Sequence, residues 1–129
     1  MHLDETTNQV QRLEGVGETL GIRLTGKKCK AMEGLIEEGK EVLSEKGKSS
    51  VIDVALIGAA QRVEHYEISA YGTVRTLAGH LGYTEVQELL QETLDEEAAT
   101  DEKLTQLCIN DVLPGAETGT DGEEARQSP

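Results

Sequence analysis

Both prolines of the chain, Pro114 and Pro129, fall near its end, so the 113 residues before them contain none. Proline removes a backbone donor and its ring clashes with the preceding turn, so its absence leaves this stretch open to uninterrupted helix. Glycines supply the punctuation instead, at Gly15, Gly17, Gly21 and Gly26, then Gly34, Gly39 and Gly47, then Gly72, Gly79 and Gly82. Four helices fit between these marks, over about 2–20, 29–44, 51–81 and from 84 onward. Each has a row of inward positions, spaced three and four apart in the first, third and fourth and forming an apolar side in the second. The rows are Gln9, Leu13, Val16 and Leu20; Met32, Leu35, Ile36 and Leu43; Ile57, Ala60, Glu64, Glu67, Tyr71 and Val74; and Val86, Leu90, Thr93, Glu97, Thr100, Leu104 and Leu107. Ser50 with Asp53 reads as a capping box, Gly82 as a helix stop, and Thr84 with Gln87 as the cap of the fourth helix. Residues 21–28 form a basic connector. The expected fold is all-α, an antiparallel helical bundle over 1–112, followed by a polar tail over 113–129 too poor in apolar residues to fold.

Composition removes several functions. Lys and Arg number 12 against 25 Asp and Glu, a net charge of −13, which argues against phosphate-binding surfaces and hence against nucleic acid or an anionic membrane as partner. The only aromatic residues are three Tyr, too few for a base-stacking platform or an aromatic-rich β core. The longest apolar run, 51–60, is interrupted by Asp53 and is too short to span a bilayer. The opening Met-His-Leu-Asp-Glu lacks the basic and apolar regions of a signal peptide. Cys29 and Cys108 lie far apart without a CxxC pattern, which points to a reducing cytoplasm and to buried thiols acting as small hydrophobes.

The two long rows carry an anomaly: each is apolar at its ends and acidic at its centre. Glu64 and Glu67 sit one turn apart between Ala60 and Tyr71, and Glu97 sits between Thr93 and Thr100 with Asp101 one turn on. The short connection around Gly82 makes these helices antiparallel neighbours, which brings their midpoints, and so these carboxylates, to one level. Converging buried carboxylates need protons or a cation, and hard metal ions take oxygen and imidazole ligands. The first helix offers His2 and Glu5 at a comparable distance from its end. The other reading is a solvated acidic face, since a glutamate on a helix of so acidic a chain ordinarily meets water. Asp101 then faces solvent beside Lys103, and His2 is a frayed terminus. His65 reads as a boundary residue, His80 as a favourable charge at a helix end, and Tyr66 with Tyr71 as packing.

Beyond periodicity, the stretch Val54-Ala-Leu-Ile-Gly-Ala-Ala-Gln-Arg-Val-Glu-His-Tyr-Glu-Ile-Ser-Ala-Tyr-Gly-Thr resembles the YciE/YciF-type ferritin-like family. So do Cys29-Lys-Ala-Met-Glu-Gly-Leu-Ile-Glu-Glu-Gly, Leu94-Asp-Glu-Glu-Ala-Ala-Thr-Asp-Glu-Lys-Leu-Thr and the opening His2-Leu-Asp-Glu-Thr-Thr-Asn-Gln-Val-Gln-Arg-Leu-Glu. The resemblance implies a ferritin-like bundle, often dimeric, with a dinuclear metal centre and a stress-response setting. By position it carries the ligand roles onto His2, Glu5, Glu64, Glu67, Glu97 and Asp101. It also implies that family members begin with a helix and a half that this chain lacks, including one further carboxylate.

Two functions follow as expectations. One is a metal-binding protein holding iron, or manganese as the alternative, with ferroxidase-type chemistry belonging to the metal. The other is a metal-free, stress-associated assembly module without catalytic activity. In either case the length of the apolar rows implies a homodimer or higher oligomer, with the helix over 2–20 at or near the contact.

Overall fold

A computed structural model describes residues 2–118. Among these residues five α-helices run in chain order: α1 His2–Leu20, α2 Lys30–Ser44, α3 Ser49–His80, α4 Thr84–Leu107 and α5 Leu113–Thr118, the last two joined by a π-helical turn, Cys108–Val112. No strand occurs among the described residues, and the fold is an all-α helical bundle. No helix among the described residues is long and apolar enough to cross a membrane.

Helices α1 and α3 end in the same way. Gly21 and Gly82 adopt φ of 65° and 80°. Ile22 N–H donates to the Gly17 carbonyl at 3.0 Å and Gly21 N–H to that of Glu18 at 3.1 Å, while Tyr83 and Gly82 make the matching bonds to Ala78 and Gly79 at 2.9 and 3.2 Å. These paired bonds satisfy the last carbonyls of each helix and need a left-handed residue, which glycine adopts without strain. Gly82→Ala is therefore expected to destabilise the protein by about 1 kcal/mol. Gly72→Ala, mid-helix in α3 with open space where the methyl would stand, should stabilise it by about 0.5–1 kcal/mol. Urea denaturation giving shifts of the same sign at both positions would contradict this account.

Several helix ends differ from expectation. Helix α3 begins at Ser49, so Ser50 is a buried residue of its first turn, and the Lys48 carbonyl takes the N–H groups of Val51 and Ile52. Thr84 is already helical, because Gln87 N–H donates to the Tyr83 carbonyl at 2.9 Å and the turn is committed one residue earlier. Cys29 is exposed rather than buried: it caps α2, its Sγ accepting the Met32 N–H at 3.5 Å. Cys108 is half-buried. Past Asp111 the chain stays helical. Leu113 N–H donates to the Cys108 carbonyl, a widened turn that eases the step into Pro114, which has no N–H and whose ring needs room. Residues 113–118 are thus helical, and the remainder of the expected tail lies outside the described residues.

The chain forms two compact units. In the first, residues 2–28 with 65–99, α1 packs on the α3–α4 hairpin around Val16, Ala78, Val86 and Leu90, joined by Leu13, Leu20, Tyr71 and Leu89. The hairpin closes tightly, since a Cβ at Gly79 would stand 2.6 Å from the Gln87 side-chain nitrogen. An open apolar groove of about 280 Å³ lies between Leu13, Leu20, Leu24, Leu77, Leu81 and Val86. In the second, residues 29–64 with 100–118, α2 lies on α3 where a Cβ at Gly39 would stand 4.0 Å from the Ala59 methyl. There the Gln61 amide donates to Asp101 Oδ1 at 3.1 Å and Thr105 Oγ1 at 2.9 Å, tying α3 to α4.

Candidate metal centre

The inward rows of α1, α3 and α4 are realised at their centres, whereas the ends of two of them, Val74 on α3 and Leu107 on α4, are exposed. Gln9, Val16, Ile57, Glu64, Val86, Leu90, Thr93, Glu97 and Thr100 are all buried. Because the α4 row has period 3–4 throughout, the helix cannot bury Leu90 and Thr93 without also burying Glu97. Glu97 is 1% exposed, and neither carboxylate oxygen meets a hydrogen-bond donor among the described residues. Facing it, on the turn of α3 before Tyr71, is the half-buried Glu67.

Burial pushes the Glu67 carboxyl up to about 7, helped by the charge of Glu97 and by the proton the two can share. As two carboxylates they have no hydrogen between them; protonating Glu67 supplies one. Burial also raises the Tyr71 phenol, with the charges of Glu67 and Glu97 adding to the effect and Arg12 opposing it. One turn before Glu67 on the unbroken α3 helix, Glu64 is 3% exposed. Glu64, Glu67 and Glu97 each offer an oxygen, and these lie within 4.8 Å of one another. This donor set is all carboxylate, which suits hard, oxygen-preferring cations.

The other sequence candidates are placed differently. His2 and Glu5 pair with each other at 3.5 Å at the start of α1, His2 being largely exposed, and they are not members of the cluster. Asp101 is half-buried and accepts from Gln61, also outside the cluster. His65 and His80 are exposed, and so is Tyr66, whereas Tyr71 packs on the apolar core.

Sequence reasoning missed the ion-pair network behind Glu97. Arg12, its side chain 10% exposed, forks onto Glu96 with two bonds of 3.0 Å, and also donates to Glu92 Oε1 at 2.7 Å and to Thr93 Oγ1 at 2.7 Å. Gln9 adds a bond to Glu96 at 3.1 Å. The Arg12 guanidinium holds the Glu96 carboxyl below the usual carboxylate range. The available signal was spacing: Gln9 and Arg12 share one α1 face, and Glu92 and Glu96 flank Thr93 on α4. Nothing local pairs residues eighty positions apart.

The protein is thus an all-α helical bundle with a buried cluster of carboxylates. The family model of DUF892, a domain of unknown function, matches residues 1–116, and the chain belongs to that family. It is 54% identical over 117 residues to protein YciF of Escherichia coli K12, covering 90% of this chain and 70% of YciF. The crystal structure of the E. coli stress protein YciF superposes with a TM-score of 0.81 at 55% identity, covering 84% of this chain and 69% of that one. YcfI of Rhodopseudomonas palustris, described as a candidate structural protein, superposes with a TM-score of 0.77 at 41% identity, covering 81% of this chain and 66% of that one.

Proposed function

We propose that this chain is a ferritin-like, stress-associated metal-binding protein whose carboxylates hold iron. The observation that carries the reading is Glu97, a fully buried carboxylate without a donor among the described residues, set against Glu67 and Glu64. A buried anion without a donor costs several kcal/mol, and a cation offsets that cost. Glu64, Glu67 and Glu97 would hold the metal. Iron bound there would supply one-electron redox chemistry of its own. The protein's part is to present anionic oxygens, to exclude water around Glu97, and to release the Glu67 proton as the cation enters. The stress association follows the likeness to YciF.

Anaerobic titration with Fe(II), followed by calorimetry and by the melting temperature, tests this reading. Saturable binding with a melting temperature that rises with Fe(II) and returns on adding EDTA is the expected result, because a ligand of the folded state raises apparent stability. Absence of saturable uptake would sink it.

A second reading is favoured by one observation: Glu67, raised to about 7, can share a proton with Glu97 and so neutralise the pair without metal. The chain is then an assembly module that pairs with a second copy through the apolar groove of the first unit, in keeping with the description of YcfI. A melting temperature indifferent to Fe(II) and EDTA, with a dimer in sedimentation, is its signature; a monomer at micromolar concentration removes it.

A further inference from the structure

A carboxylate buried as deeply as Glu97 is drawn toward water, and a turn of α4 about its own axis is the displacement that would carry it there. What opposes that turn lies on the adjoining face of the same helix. Glu92, Thr93 and Glu96 are gripped together by the one guanidinium of Arg12, in the four contacts given above. Glu97 follows Glu96 directly and stands one turn beyond Thr93, which is itself 1% exposed. Two parallel bonds to one carboxylate fix direction as well as distance, which an ammonium cannot do. Gln9, one turn before Arg12, bonds the same Glu96 carboxylate and keeps the grip seated on α1.

We propose that Arg12 is a positioning residue for the carboxylate centre: its fork on Glu96, with Thr93 and Glu92, fixes the rotation of α4 and holds Glu97 inward. It touches no ligand oxygen; it acts through the helix that carries one. The consequence for metal affinity rests on the metal-binding reading, but the consequence for Glu97 burial does not, and the two are separable by experiment.

The first measurement needs no metal. In a Cys29→Ser, Cys108→Ser background, maleimide labelling of Thr100→Cys, one turn beyond Glu97 on the same inward row, reads the turn of α4 with Glu97 in place, and labelling of Ala78→Cys, buried in α3, reads general loosening. Adding Arg12→Gln or Arg12→Lys is expected to speed labelling at position 100 by about tenfold or more and to leave position 78 within about twofold. Equal acceleration at both positions, or none at 100, overturns the proposal.

The second measurement follows Mn(II) binding by loss of the free-ion paramagnetic resonance signal. Arg12→Gln, Arg12→Lys and Glu96→Gln should each weaken binding about 10–100-fold, as removal of an orienting partner does, while Glu88→Gln, exposed on α4 and outside the Arg12 contacts, should change it by less than about threefold. Arg12→Lys retaining full affinity would show that charge alone suffices and overturn the fork. If the unsubstituted protein binds no Mn(II), the metal reading fails while the labelling result still decides the role of Arg12.

Discussion

Glu97→Gln is expected to stabilise the metal-free protein by about 1–3 kcal/mol and to weaken Fe(II) or Mn(II) binding by about 100-fold or more. The substitution keeps shape and removes a charge from a position that is 1% exposed. It also gives the site a donor, since the new amide can bond the Glu67 carboxylate that Glu97 repels. The two effects have opposite signs because one group is a liability without a cation and a ligand with one. Glu67→Gln should act in the same directions with smaller amplitude, its carboxyl being only half-buried. Glu38→Gln, on the exposed side of α2, is the control and should stay within about 0.5 kcal/mol. Calorimetric melting with and without Fe(II) reads both quantities. A solvated acidic face would leave all three variants alike.

The metal-free protein should lose about 1–3 kcal/mol of stability between pH 4.5 and 8 through Glu67. Its carboxyl stands at about 7 in the folded chain against 4.5 as the ordinary value. Between those values the folded state binds more proton than the unfolded one, so the contribution is fully present below 4.5 and disappears as pH rises through 7. The range stays below the full value of the shift because water reaches the half-buried carboxyl. With a saturating divalent ion the slope flattens toward zero, because the ion displaces the Glu67 proton from the folded chain, and the stabilisation the ion adds grows as pH rises through 7. Urea denaturation across this range, with and without Mn(II), measures both slopes. Glu97→Gln should flatten the metal-free slope. A slope unaffected by that change would mean that the two carboxylates do not face each other.

Much of the fold was legible because helix faces obey a local rule. The α1, α3 and α4 rows come from spacing alone, and their central positions are buried where the period puts them. Gly82 was readable as a stop because only its left-handed backbone closes α3 onto Tyr83. Ser50 was misread for an equally local reason: a capping pattern shifted by two residues looks the same in sequence, and which turn forms depends on the packing of α3. Cys29 was misread because burial preference is an average, whereas a thiol at a helix start can serve the backbone.

The chain by itself determined that the acidic centre of each long helix lies on an inward face, because a 3.6-residue period leaves no choice once Leu90, Thr93 and Ile57 turn inward. Only the tertiary structure decided which carboxylates meet. Glu64, Glu67 and Glu97 share one space, His2 pairs with Glu5, and Asp101 goes to Gln61. The same holds for Arg12, whose partners on α4 are fixed by the rotation and register of packed helices. Those depend on the summed fit of many side chains distant in sequence, which no single stretch of sequence encodes.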